Sequence, residues 1–116
     1  MTSLEELQGK VKQFCEDRDW DQFHNPKELA IGMVTESAEL LDIFRFKSEE
    51  QMKDMLSSEK REHIEEEMAD VLFFMMRFAS FYDVDLAAAL EKKIAKNAAK
   101  YPVEKSKGSN LKYDER

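Results

Sequence analysis

Glu36 and Glu39 are the only charged residues from Leu29 to Leu41, in the run LAIGMVTESAELL. Spaced three apart on a helix, they share one face. Carboxylates set into an uncharged run are at least partly buried. A buried, unpaired carboxylate is costly, and two side by side cost more. The pair therefore calls for a cation. A second pair with the same spacing, Glu67 and Asp70, lies in EEEMADVLFFMM, where Asp70 is the sole charge from Met68 to Met76. Four facing carboxylates cannot all ionise in a dry site unless one or two divalent ions join them. All-oxygen donors select hard cations, Mg²⁺ or in its place Mn²⁺, and Mg²⁺ keeps open or water-filled positions that phosphate oxygens take. The absence of a Glu-x-x-His motif counts against a di-iron bundle. Acid pairs at this spacing also occur on solvated helix faces. Glu5/Glu6, Glu49/Glu50 and Glu62/Glu65/Glu66 read that way, and the apolar neighbours of Glu36, Glu39 and Asp70 set them apart.

The elements that must position these acids are helices. Ser3 followed by Glu6 is a capping-box pattern, and Leu4, Leu7, Val11, Phe14 and Cys15 recur at helical spacing, predicting a first helix over about 3–18. Asn25 as cap, Pro26 in the first helical position and Glu28 as box acid mark the clearest start, of a helix over 26–46. Residues 48–58 read as a polar connection with room for one short helix. A third long helix follows over 59–82. Its second half, VLFFMM then FASFY, is apolar nearly all round and must be covered on every side, which predicts a homo-oligomer with this helix at or near its interface. Asp85 caps a fourth helix over 85–101, which Pro102 ends. The expectation is an all-α four-helix bundle, one domain over 1–103, with a polar tail over 104–116. Measured along their helices, both acid pairs sit about 14 Å from the connection at ~1.5 Å per residue, so an antiparallel hairpin brings them level.

Totals narrow the function. At 116 residues the chain is one domain by length, with 42% hydrophobic and 37% charged residues. A net charge of −7 argues against nucleic acid and anionic membrane surfaces. Cys15 is alone, so no internal disulfide forms, which fits a reducing compartment. MTSLEELQGK has neither the basic nor the apolar segment of a signal peptide, and the longest apolar run is too short for a membrane span. A soluble cytoplasmic protein is the expectation.

A cation held by acids needs an anionic substrate. The fourth helix and tail carry Lys92, Lys93, Lys96, Lys100, Lys105, Lys107 and Lys112. Lys93, Asn97, Lys100 and Tyr101 share one face and offer donors to phosphate oxygens. A solvated face with lysines favoured by the helix dipole explains any one of them equally well. Trp20, Phe23 and His24 cluster before the second helix, with Phe44 and Phe46 at its far end. Such aromatics either stack on a base or plug a core. Gly32, one turn before Glu36, costs the helix about 1 kcal/mol against Ala and points to close packing or ligand approach. His63 sits among charges and reads as solvated.

The segments RDWDQFHNPKELA, TESAELLDIFRFK, EEEMADVLFF, KIAKNAAKYPV and SKGSNLKY, in that order, cover most of the chain after the first helix. Together they resemble the MazG-like all-α nucleoside triphosphate pyrophosphohydrolases, most closely the dCTP pyrophosphatase branch. The resemblance implies hydrolysis of a dNTP to dNMP and pyrophosphate in nucleotide-pool cleaning. It implies Mg²⁺ ligation by Glu36, Glu39, Glu67 and Asp70, with Glu36 or Glu39 also activating water. It implies phosphate binding by Lys93, Asn97 and Tyr101, a base pocket with Trp20 and His24, and assembly as a homodimer or homotetramer. Two positions depart from the family pattern. Phe46 stands where a second base-stacking tryptophan is common, and Phe74 where a tyrosine is common. Both bear on base choice more than on the chemistry. The competing readings are a non-catalytic helical oligomerisation or interaction module, and a member of the same superfamily acting on dUTP or a damaged nucleotide.

Overall fold

A computed structural model describes residues 3–111. Lys112 and the end of SKGSNLKY lie outside them. The described residues form α1 (Leu4–Asp17), a 3-10 turn (Asp21–Phe23), α2 (Pro26–Ile43), α3 (Glu49–Leu56), α4 (Lys60–Phe81), α5 (Leu86–Lys100) and α6 (Val103–Ser106), with no strand. The architecture is all-α. Three of the four long helices start and stop within one residue of their sequence-predicted ends.

Six helices form among the described residues, the four long ones that the sequence predicts and two short ones. The connection over 48–58 contains α3, built on a reciprocal capping box. Ser48 Oγ accepts from the Gln51 N–H at 3.1 Å, and Gln51 Oε1 accepts from the Ser48 N–H at 2.8 Å. The tail contains α6. The end of α2 is corrected, to Ile43 rather than Phe46. Phe44 caps it, and Phe46 adopts a left-handed φ of 62° that no helix accommodates.

The chain falls into two compact units, one ending at Val84 and the other beginning at Asp85. The sequence reading takes 1–103 as a single domain with a tail over 104–116. In the first unit α2 packs along α4, and α1 and α3 also pack on α4. Gly32 abuts Phe74, Glu36 lies beside Asp70, and Glu39 shares a cleft with Glu67. Rising numbers on α2 thus meet falling numbers on α4, so the helices run antiparallel. Cys15, Leu29, Met55, Ile64, Met76 and Ala79 form the buried core. A Cβ on Gly32 would lie 2.5 Å from Phe74 Cδ1, so the missing side chain is what lets the ring seat against α2. The apolar half of α4 is covered only in part, since Met68, Leu72 and Met75 remain exposed.

In the second unit, Asp85 Oδ1 accepts from the Ala88 N–H at 3.0 Å and starts α5. The Tyr101 N–H closes it by donating to the Asn97 carbonyl at 2.8 Å. No described helix is long and apolar enough to cross a membrane.

Candidate active site

The antiparallel α2–α4 pair puts both acid pairs at the same level. Glu36, Glu67 and Asp70 each offer a carboxylate oxygen, and the three lie within 4.8 Å of one another. Glu39 stands outside that trio and is exposed, yet its carboxyl is near enough to act on both Glu36 and Glu67. Glu36 and Glu67 are half-buried, and Glu36 Oε2 and Glu67 Oε2 are buried without any hydrogen-bond partner. An unpaired buried polar atom is destabilising and needs a reason.

Electrostatics state the same need. Burial, then the hydrogen bond and charge of Glu39, then the charges of Asp70 and Glu67 push the Glu36 carboxyl up to about 7. Glu67 is also raised, by burial first and then by Glu39 and Asp70, with His63 opposing. His63 Nδ1 stands 4.0 Å from Glu67 Oε1. A compact group of oxygen donors, two of them orphaned, fits a hard divalent cation.

The acids line two clefts. One, of about 790 Å³, is lined by Glu39, Asp42 and Glu67 together with Lys47, Lys60 and His63. The other, of about 660 Å³, is lined by Glu36 and Asp70, the aromatics Phe14, Trp20, Phe73 and Phe74, and Lys10. Phe14 meets Trp20 edge to face at 5.6 Å and Phe73 at 5.8 Å. The first cleft sets Lys47, Lys60 and His63 beside three acids, where cation-bound phosphates would lie. The second is aromatic where a base would stack.

Trp20 lines the aromatic cleft, whereas His24 is not among its lining residues. His24 Nδ1 instead accepts from Arg77 Nε at 2.9 Å. Burial, then the Arg77 charge, lower the His24 pKa, so the ring is held as a neutral acceptor. Phe46 is 88% exposed and lines neither cleft, with the Arg45 guanidinium 4.6 Å from its ring. Lys93, Asn97, Lys100 and Tyr101 lie on α5 and its C-cap in the second unit, all exposed. Sequence reasoning did not single out Lys10, Lys47 or Lys60, and it read His63 as solvated. The signal for Lys47 and Lys60 was their place at the facing ends of α2 and α4, beyond the acids.

Two packed helices sharing a carboxylate cluster that lines a mixed-charge cleft and an aromatic cleft define the class: an all-α protein built around one acidic centre. Comparison with known proteins places that class. The MazG-like family matches residues 31–115. The chain is 36% identical over 112 residues to dCTP pyrophosphatase 1 of Rattus norvegicus, covering 96% of this chain and 66% of the relative. It is 33% identical over 114 residues to dCTP pyrophosphatase 1 of Homo sapiens, covering 97% of this chain and 67% of the relative. The chain thus spans about two thirds of the length of these curated relatives. The crystal structure of a pyrophosphatase from Archaeoglobus fulgidus superposes with a TM-score of 0.79 at 35% identity, covering 88% of this chain and 94% of that one. The chain belongs to the MazG-like family.

Proposed function

We propose that this chain is a Mg²⁺-dependent nucleoside triphosphate pyrophosphohydrolase. It converts a dNTP, dCTP or a related pyrimidine nucleotide, to dNMP and pyrophosphate, and so cleans the nucleotide pool. The observation that carries the reading is the trio Glu36, Glu67 and Asp70 with ligand oxygens within 4.8 Å, two of whose carboxylates have an orphaned buried oxygen. The named relatives and the superposed pyrophosphatase support the same reaction class.

Glu36, Glu39, Glu67 and Asp70 would hold Mg²⁺, with Mn²⁺ able to replace it. When bound, the ion supplies charge neutralisation and polarisation for phosphoryl transfer. The chain's own groups do the rest. Glu36 or Glu39 accepts a proton from the attacking water at a carboxylate oxygen. The water oxygen bonds to the α-phosphorus as the bridging bond to the β-phosphate breaks. Lys47, Lys60 and His63 line the cleft beside Glu39 and Glu67 and receive the departing pyrophosphate. The family resemblance also assigns phosphate binding to Lys93, Asn97 and Tyr101, and Lys100 shares their helical face. Trp20 forms an aromatic wall for the base, and Phe46 stacks on it if a neighbouring copy brings it there. The exposed stripe Met68, Leu72 and Met75 on α4 supports a homodimer or homotetramer. The working compartment is the cytoplasm.

The test is a panel of dNTPs, including dUTP and oxidised or methylated nucleotides, with pyrophosphate and monophosphate both quantified. Stoichiometric release of both from dCTP with Mg²⁺ supports the reading. Preference for dUTP or a damaged base reassigns the substrate. No pyrophosphate from any nucleotide with Mg²⁺ or Mn²⁺ refutes the enzyme. The same apolar stripe on α4 favours a second reading, a helical interaction module. Such a module gains no thermal stability from Mg²⁺ plus nucleotide.

A further inference from the structure

Arg77 is 1% exposed and is the only charged side chain fully buried among the described residues. A guanidinium out of water is costly unless it is paired in good geometry, and an apolar residue of similar size is often as stable in its place. Its partners therefore matter more than its burial. Arg77 Nε donates to His24 Nδ1 at 2.9 Å. Its second arm pairs with Asp21 Oδ1. Its guanidinium lies 4.5 Å from the centre of the Phe81 ring. Both hydrogen-bond partners belong to the short connection between α1 and α2, over fifty residues earlier in the chain.

That connection carries Trp20. Its backbone is already set into one shape. Asp19 adopts a left-handed φ of 55°, the Trp20 N–H donates to the Cys15 carbonyl at 3.0 Å, and the His24 N–H donates to the Asp21 carbonyl at 3.2 Å. The Trp20 and His24 rings meet at 6.5 Å. On α4, Arg77 follows Asp70 by seven residues, two turns along one face. The helix that contributes an acid to the cluster thus also clamps the loop that walls the aromatic cleft.

We infer that Arg77 is a positioning residue: through Asp21 and His24 it fixes the Trp20 ring relative to Asp70, and it thereby sets how tightly the base is held. This rests on the pyrophosphohydrolase reading for its consequence and on the geometry alone for the clamp. His24 then acts as an acceptor that orients the loop, not as a base-contacting group. The guanidinium fork is what the role needs, because one side chain must satisfy an imidazole and a carboxylate at once.

Trp20 is the sole tryptophan of the chain, so its fluorescence reports the loop without labelling. Asp21→Asn and His24→Leu each remove one arm of the clamp at the loop, leaving the core untouched. His24→Asn keeps an acceptor at the Nδ1 position while deleting the imidazole. Acrylamide quenching of Trp20 and nucleotide kinetics are measured on all three. Asp21→Asn and His24→Leu are expected to increase Trp20 quenching and raise KM about tenfold, with kcat within about twofold. His24→Asn is expected to stay near wild type in both. Wild-type quenching in folded Asp21→Asn and His24→Leu overturns the clamp. So does loss of affinity in His24→Asn with normal quenching, since His24 would then touch the nucleotide itself. If the wild-type chain releases no pyrophosphate, the reaction assignment fails, while the quenching measurement still decides the clamp. Arg77→Lys, which keeps the charge but loses the fork, is expected to quench like His24→Leu, and wild-type quenching there counts against the fork.

Discussion

Replacing Gly32 by alanine sets two effects of known size against each other. In a helix interior alanine is favoured over glycine by about 1 kcal/mol, so propensity alone predicts a more stable protein. The new Cβ, however, would lie 2.5 Å, 2.6 Å and 2.7 Å from Cδ1, Cε1 and Cγ of Phe74. Ordinary contact begins at 3.4 Å, so the ring must retreat by nearly 1 Å or the helices must part. Overpacking of this kind costs about 1–3 kcal/mol. The net is a loss of about 1 kcal/mol, or a melting midpoint lower by about 4 °C. The free space open to the ring is the aromatic cleft that Phe74 already lines, so the same substitution should raise KM for the nucleotide. Urea unfolding and initial-rate kinetics on Gly32→Ala measure both. Gly32→Ala combined with Phe74→Leu should recover part of the loss, with a favourable coupling of about 1 kcal/mol. A Gly32→Ala protein more stable than wild type with unchanged KM would refute the packing argument.

Three further outcomes are expected. The Glu36 carboxyl, about 7 in the folded chain against 4.5 unfolded, contributes stability that is present below pH 4.5 and lost as pH rises through 7. The metal-free melting midpoint should therefore fall as pH climbs over that window, less so with Mg²⁺ or in Glu36→Gln, and a midpoint that rises instead contradicts the electrostatics. Glu39→Gln and Asp70→Asn should each abolish turnover while circular dichroism shows the helices intact, and wild-type rates in both would move the metal elsewhere. Trp20→Ala should raise KM and blur base choice, and an unaltered selectivity profile would make Trp20 a core plug.

The helices that matter were legible because their signals are local. Asn25, Pro26 and Glu28 define the start of α2 in four residues, and Asp85 and Pro102 bracket α5 equally well. The level placement of the acids was legible too, since an antiparallel hairpin fixes register once its ends are known. What stayed hidden depends on side chains far apart in sequence. Arg77 reads as an interruption of an apolar run until its contacts with Asp21 and His24 are seen. Gly32 announces close packing but not its partner Phe74. The basic residues of the fourth helix drew attention by number, whereas Lys47, in the connection after α2, and Lys60, at the start of α4, line the acid cleft and leave no cluster in the sequence. The helix α3 was obscured because its box uses Gln51 on a short, highly charged segment.

That Glu39 and Glu67 line one cleft while Glu36 and Asp70 line another bears on what would follow bond cleavage in the proposed reaction. Under the proposed function, a triphosphate spanning the acids would have its nucleoside end in the aromatic cleft and its pyrophosphate end beside Lys47 and Lys60. Once the bond breaks, the two fragments occupy separate compartments, and neither blocks the exit of the other. Product departure is then unordered, and monophosphate and pyrophosphate should each inhibit competitively against substrate. A single-mouthed site, in which one fragment must wait for the other, would make the first to leave a noncompetitive inhibitor. Under that reading, two clefts that share the acid cluster set how turnover responds to accumulating products.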